Sequence, residues 1–189
     1  MQIIDRCQFT RPDTTIPFFN TTGDTLNGLS YKTVFDQLVA DSKLTRDVVV
    51  SDDGLTQSVT FTHDSIETLS ARYNAYSIGL NKEFYEYCTE HGSASAGVTQ
   101  EGIDVPFTVT TIYTYNENTS TLYPQFESFI QTLTVNITLE EFTNTGTQLI
   151  AVHRYKNSED YNVARWQDSS YIVGLCAGGV TRTVEFKLV

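Results

Sequence analysis

Apolar residues near the start of the chain first recur at every second position and then at every third or fourth, which predicts a strand followed by a helix. Residues 2–10 alternate apolar with polar side chains, and Arg11-Pro12-Asp13 ends the run because proline cannot donate to a strand ladder. The helical stripe follows the N-cap residue Ser30 and consists of Tyr31, Val34, Phe35, Leu38 and Val39. The first forty residues therefore predict a β-α unit.

A hairpin and a second helix are predicted next. The extended runs 44–50 and 55–62 are separated by Asp52-Asp53-Gly54, and Asp-Gly between such runs is a strong hairpin signal. The helix is expected to begin at Asp64, with Glu67 completing a capping box. Its expected buried stripe is Ile66, Leu69, Tyr73 and Tyr76. Residues 78–90 fit either more helix or a fourth strand.

The second half of the chain predicts a similar order of elements. Strands are expected around 105–113, at 133–137 and at 147–155, with a final strand at 180–189. A loop is expected at 141–146. The helix at 124–132 is expected to be short or absent, because the second half lacks about fourteen residues that the first half has there.

Two decapeptides indicate that the halves are related. Residues 64–73 and 157–166 align without a gap, 93 positions apart, and each reaches Ala-Arg-aromatic at Arg72 and Arg165. Chance similarity between two β-α elements is the alternative. The pattern predicts an α+β fold of two tandem ferredoxin-like (βαββα-type) modules, antiparallel sheets with helices on one face. The expected domains are 1–90 and the shorter repeat 103–189, joined by a linker at 91–102 that is rich in small residues.

Composition narrows the classes of partner. The formal net charge of −11 over 189 residues argues against direct contact with nucleic acid or an anionic membrane. No secretory signal and no membrane span is predicted. Three cysteines, Cys7, Cys88 and Cys176, form no CxxC pair and are expected to be reduced.

The sequence offers no catalytic, cofactor-binding or metal-binding residues. The three histidines, His63, His91 and His153, show none of the short spacings that metal sites use. Asp52-Asp53-Gly54 fits a turn better than a calcium loop, and Ala177-Gly178-Gly179 fits a bend. No enzyme activity and no cofactor are therefore predicted.

The candidate contact residues are aromatic and basic. Phe18 and Phe19, beside Pro17, fit an interface anchor or a core position equally well, whereas Tyr113 and Tyr115 are expected in the core. Replacing Phe18 and Phe19 by alanine is expected to spare the fold and weaken assembly. Arg72 and Arg165 are expected to form ion pairs with a neighbouring strand or an adjoining subunit.

Residues 11–19, Leu44 and Ser51-Asp52-Asp53-Gly54-Leu55-Thr56-Gln57 resemble poorly characterised virion structural proteins of tailed marine and cyanobacterial phages. The resemblance covers about the first 75 residues and brings no functional residues with it. It implies a head, neck, tail or baseplate component that is assembled in the host cytoplasm. Such a component is expected to be oligomeric and to pack against other virion proteins.

An enzyme is the alternative. The segment 152–161 with Ala164-Arg165-Trp166 looks like the strand-helix element of dimeric α+β barrel proteins such as antibiotic-biosynthesis-type monooxygenases. Two fused repeats could enclose a cavity between them. In that case His153, Tyr155 and Arg165 would be the first residues to test.

Overall fold

The computed structural model describes residues 1–19, 25–26, 29–77, 80–114, 137–164 and 181–189. The first half contains β1 (Ile3–Thr10), β2 (Thr25–Leu26), β3 (Leu29–Ser30), α1 (Tyr31–Ala40), β4 (Leu44–Val50), β5 (Thr56–His63), α2 (Ile66–Ser77), α3 (Leu80–His91) and β6 (Ala94–Glu101). The second half contains β7 (Phe107–Thr114), β8 (Thr138–Asn144), β9 (Gln148–Tyr155), a helical segment at 158–164 and β10 (Thr181–Leu188).

The first sheet has the strand order β4-β5-β1-β6, and every neighbouring pair is antiparallel. In β1 the buried residues Ile3, Asp5 and Cys7 alternate with exposed Arg6 and Gln8, so one face of the sheet is covered. The predicted hairpin is confirmed, since β4 and β5 pair across the turn at 51–55. A short separate hairpin joins β2 to β3.

The second sheet has the strand order β10-β7-β9-β8, again with antiparallel neighbours. Strand β9 alternates buried and half-buried residues along its whole length, so this sheet also has one covered face. In sequence order the strands β7, β8, β9 and β10 correspond to β1, β4, β5 and β6. Both sheets therefore have the same ferredoxin-like strand order, and the predicted α+β fold of tandem modules is confirmed.

The sequence alignment of the two halves was wrong by one residue. The Ser65 hydroxyl accepts from the Thr68 N–H (3.2 Å), and the Asn157 side chain accepts from the Asp160 N–H (3.0 Å). Ser65 and Asn157 are thus the equivalent N-caps, 92 positions apart, because each accepts from the backbone three residues on. The predicted capping box with Asp64 and Glu67 is wrong for the same reason.

The predicted linker at 91–102 is also wrong, because residues 94–101 form β6 and pair with β1. Its small residues suit a strand that contains a bulge, and the register between β1 and β6 shifts where Gln8 faces Gly97. Residues 80–91 are helical, which settles the earlier ambiguity. The chain leaves the first sheet at Gly102, where a Cβ atom would lie 2.2 Å from the Gln2 carbonyl oxygen.

The loop predicted at 141–146 is wrong at its start, because β8 continues to Asn144. Several other predictions lie outside the described residues. These are the helix at 124–132, most of the strand at 133–137, Tyr115, Cys176, the bend at 177–179, and Arg165 with the end of its decapeptide.

The two modules share one hydrophobic core, to which α2 of the first module contributes across the boundary. The core contains Ile3, Ile66, Leu69 and Tyr73 from the first module and Phe107, Val109, Tyr155, Tyr161, Ala164, Val184 and Phe186 from the second, with Ile103 between them. On α2, the Tyr73 ring meets the Phe186 ring of β10 edge to face at 5.1 Å. The predicted buried stripe of this helix is confirmed for Ile66, Leu69 and Tyr73.

Candidate functional site

Strand β4 forms one edge of the first sheet, and the described residues place no strand on its outer side. All of its residues except Leu44 are exposed. Val48, Val49 and Val50 are 37%, 59% and 46% exposed. Because successive side chains of a strand alternate between faces, the three valines place apolar surface on both sides of this edge.

Two hydrogen bonds fix which backbone groups of β4 point outward. The Ser51 N–H donates to the Thr56 oxygen (2.9 Å), and the Asp64 N–H donates to the Lys43 oxygen (3.0 Å). Odd-numbered residues therefore direct their backbone groups toward β5. Since the direction alternates along an antiparallel strand, Arg46, Val48 and Val50 direct theirs away from the sheet.

The equivalent edge of the second sheet, β8, is protected. Its pairing with β9 is irregular between Leu139 and Glu141. The exposed Glu140 carboxylate accepts from Arg154 Nη1 at 3.2 Å, and Glu141 is exposed beside it. Bulges and charges are the usual means by which proteins prevent a further strand from adding to an edge.

The remaining two edges, β6 and β10, are each covered by a helix of the other module. The Gln100 N–H of β6 donates to Asn162 Oδ1, and Asn162 Nδ2 donates to the Gln100 carbonyl, both at 2.7 Å. On β10 the Phe186 N–H donates to Ser70 Oγ of α2 at 3.0 Å. Within the described part of the chain, β4 is thus the one edge that is regular, apolar and uncovered.

The Pro17-Phe18-Phe19 corner packs within the chain. The Arg11 guanidinium lies 4.3 Å from the centre of the Phe18 ring, and the Phe19 ring lies 5.3 Å from the Tyr87 ring of α3. The Tyr87 hydroxyl donates to the Pro17 carbonyl. Both phenylalanines are half-buried, so their replacement by alanine removes internal contacts as well as any external ones. The predicted effect on assembly stays a prediction.

A buried polar cluster lies between the first sheet and α2. It consists of Asp5, His63, Arg72 and Gln100, each at most 5% exposed. Arg72 Nη2 donates to Asp5 Oδ2, and Gln100 Nε2 donates to Asp5 Oδ1 at 3.4 Å. The predicted ion pair of Arg72 with a neighbouring strand is confirmed, because Asp5 lies on β1.

The buried polar cluster fixes His63 in its neutral form. Arg72 Nε donates to His63 Nε2 at 2.9 Å, so this nitrogen must accept and the proton lies on Nδ1, 3.2 Å from the Ile3 carbonyl oxygen. Burial, together with the positive charge of Arg72, lowers the pKa of His63 to about 4. The Arg72 guanidinium also lies over the Phe61 ring, 4.3 Å from its centre. The buried polar cluster is thus almost fully shielded from solvent, and the Gln100 Oε1 atom is buried in it without a hydrogen-bond partner among the described residues.

The residues suggested for an enzyme are core residues. His153 is 6% and Tyr155 is 7% exposed, and burial lowers the pKa of His153 to about 4. The Tyr155 ring stacks on Phe107 at 5.5 Å between centres. Two surface pockets, of about 480 and 360 Å³, are lined by neither residue. Among the described residues no group of three or more His, Cys, Asp or Glu side chains could hold a metal ion.

The cysteines and helices add little chemistry. Cys7 is buried and its thiol donates to the Val59 carbonyl at 3.7 Å, whereas Cys88 is half-buried and burial raises the pKa of its thiol. No helix in the described segments is both long and apolar enough to cross a membrane.

Comparisons with known proteins find similarity in fold alone. No protein-family model matches the chain, and no curated protein matches it. A solved structure described as a proposed glycine cleavage system transcriptional repressor has 9% identity and a TM-score of 0.34, covering 100% of this chain and 98% of that one. The regulatory subunit of aspartate kinase from Thermus thermophilus has 12% identity and a TM-score of 0.25, with 88% and 91% covered.

A third structure, a proposed monooxygenase from Fusobacterium nucleatum, has 14% identity and a TM-score of 0.28, covering 99% of this chain and 90% of that one. At such identities and scores these likenesses carry no argument about function.

Sequence reasoning missed both the exposed edge and the buried polar cluster. The strand signal at β4 was recognised, but its position at the edge depends on which strands pair. Asp5 did carry a signal, because it lies at the inward position between Ile3 and Cys7 of an alternating strand. His63, Arg72 and Gln100 are far from it in sequence, and no local pattern joins them.

Proposed function

We propose that the protein is a structural component of a tailed-phage virion that works by packing against neighbouring subunits through β4. The observation that carries the proposal is the uncovered edge with three exposed valines and outward backbone groups at Arg46, Val48 and Val50. Edge strands of this kind add strands from other chains. The resemblance of residues 11–19 and 51–57 to virion proteins is the reason for proposing a virion as the assembly and other virion proteins as the partners.

Two further properties are consistent with this function. The net charge of −11 keeps free subunits soluble and apart until an assembly concentrates them. The shared core and the helix-covered edges β6 and β10 make the two modules one body, so a force on β4 acts on the whole subunit.

The test is the composition of purified particles of the source phage. We expect mass spectrometry to find peptides of this chain at a fixed ratio to the other particle proteins. In a complemented deletion strain, Val49→Lys should reduce incorporation at least tenfold, because it places a charge on the open edge. The matched change on the protected edge, Thr143→Lys, should be incorporated like the parent. Particles that lack the chain would contradict the proposed function.

A further inference from the structure

We propose that the partner at β4 is β4 of a second copy of this chain, paired antiparallel about a two-fold axis that passes through Val49. The proposal rests on the proposed function and deepens it by naming the partner. The axis stands perpendicular to the sheet, so the helix-covered faces of both copies stay on the same side. The two first sheets become one continuous sheet of eight strands.

The backbone restricts the possible registers. A perpendicular two-fold axis pairs residues of equal parity, and the outward groups belong to even-numbered residues. Centred on Val49, the pairing places Val48 opposite Val50 of the second copy, and Val50 opposite Val48. Each of these two pairs exchanges two hydrogen bonds, whereas the two Val49 residues face each other as a close pair without hydrogen bonds.

Side chains select among these registers. Centring on Asp47 or on Arg46 would place like charges directly opposite each other, which is destabilising. Centring on Val48 would leave Asp47 opposite a valine. Centring on Val49 packs valine against valine at all three positions. Just beyond the end of the strand it brings Arg46 toward Asp52 in the 51–55 turn of the second copy, a pair of opposite charges. Both Arg46 and Asp52 are exposed and therefore able to meet a partner.

The elements that flank β4 are compatible with the pairing of two β4 strands. Helix α1 packs beside β4, with the Phe35 ring edge-on to Phe61 at 5.9 Å, and its Val39 is 41% exposed. The turn after β4 is held in shape, since Asp53 accepts from Ser51 Oγ (2.6 Å) and the Leu55 N–H (2.9 Å). The net charge of −11 on each copy opposes association, so we expect a weak dimer in isolation.

A disulfide tests the register directly. In a close antiparallel pair the Cα atoms are about 4.5 Å apart, and a disulfide accepts about 4.4–6.8 Å. Under mild oxidation Val49→Cys should therefore give a crosslinked dimer in high yield, which reductant removes. The control Thr45→Cys lies on the same edge and face, but its two copies would be roughly 27 Å apart. It should crosslink no more than the parent protein, whose three cysteines set the background.

The outcomes separate this inference from the proposed function. A dimer with Val49→Cys but not with Thr45→Cys supports the self-pairing. Equal crosslinking of both variants, or crosslinking of neither at concentrations where sedimentation shows dimers, overturns it. Loss of Val49→Lys from particles without any Val49→Cys dimer would keep the virion role and reject the second copy as partner. A Val49→Cys dimer formed by a chain that is absent from particles would support the self-pairing and reject the virion role.

Discussion

The positions that hold the buried polar cluster in the first module hold only apolar and aromatic residues in the second. Strand register pairs Ile3 with His63 and, equivalently, Phe107 with Tyr155. The second-module equivalents of Asp5, His63 and Gln100 are therefore Val109, Tyr155 and Phe186. Arg72, seven residues after the N-cap Ser65, corresponds to Ala164, seven after Asn157. All eight residues are buried.

This difference shows that the same strand order forms in the second module without a buried polar cluster at these positions. Replacing a buried ion pair by well-packed apolar groups is often neutral or stabilising. We interpret the cluster as a device that directs α2 to its own sheet. Over the second sheet Arg72 would meet Val109 and Phe186 and remain unpaired. A chain with two modules of the same strand order needs such a device, because its two helices compete for two similar sheets.

The largest expected effect comes from breaking the cluster at one position. Asp5→Val leaves the Arg72 guanidinium buried without its carboxylate. We therefore expect the free energy of unfolding to fall by about 3–5 kcal/mol. The fourfold variant Asp5→Val, His63→Tyr, Arg72→Ala, Gln100→Phe installs the residues of the second module. It should unfold at higher urea concentration than the single variant, because no charge is left unpaired.

Urea unfolding followed by circular dichroism measures both variants. If the fourfold variant were the less stable of the two, the cluster would be needed for the fold itself. If the fourfold variant were stable but NMR showed a second conformation, this would support the role of the cluster in directing α2 to its own sheet.

The second effect is a loss of stability in acid. Folding lowers the pKa of His63 and His153 from the usual 6.5 to about 4, so the unfolded chain binds their protons more readily. The contribution of the two neutral histidines to the free energy of unfolding is fully present above pH 6.5. It falls as the pH drops toward 4, by up to about 3 kcal/mol for each histidine. The fourfold variant lacks His63 and should lose roughly half as much over this interval. Equal losses in parent and variant would contradict the role of His63.

The smallest expected loss of stability comes from removing the side chains that form hydrogen bonds with the edge strands β6 and β10. Asn162→Ala removes two hydrogen bonds to the Gln100 backbone, whereas Ser70→Ala removes one from the Phe186 N–H. At about 1 kcal/mol for each bond, Asn162→Ala should cost roughly twice as much as Ser70→Ala. Hydrogen exchange should accelerate at Gln100 in the first variant and at Phe186 in the second. Exchange that spreads evenly over both sheets would show that the edges open together.

The sequence was informative where spacing within one element decides the structure. The hairpin at 51–55, helix α1 and the buried stripe of α2 could be predicted because their signals lie within a few residues. Strand β6 was missed because Gly97 and its small neighbours resemble a linker until β1 is placed beside them. The one-residue error in the repeat arose because Asp64 and Ser65 are both good N-caps, and the hydrogen bond to Thr68 decides between them.

The functional surface was harder to predict, because it depends on which strands pair and not on spacing within one element. An apolar run such as Val48 to Val50 is typical of a buried strand as much as of an open edge. Only the strand order places it outside. The bulge that protects β8 likewise depends on pairing with β9, which no local pattern reveals.

The shared core has a consequence for synthesis on the ribosome. Tyr73 of α2 has its aromatic neighbour at Phe186, more than a hundred residues later in the chain. The nascent first module therefore remains incomplete until translation reaches β10, and its apolar helix surface stays available to chaperones throughout that time. Because such distant contacts form late, we expect folding to be slow and to occur after release rather than one module at a time.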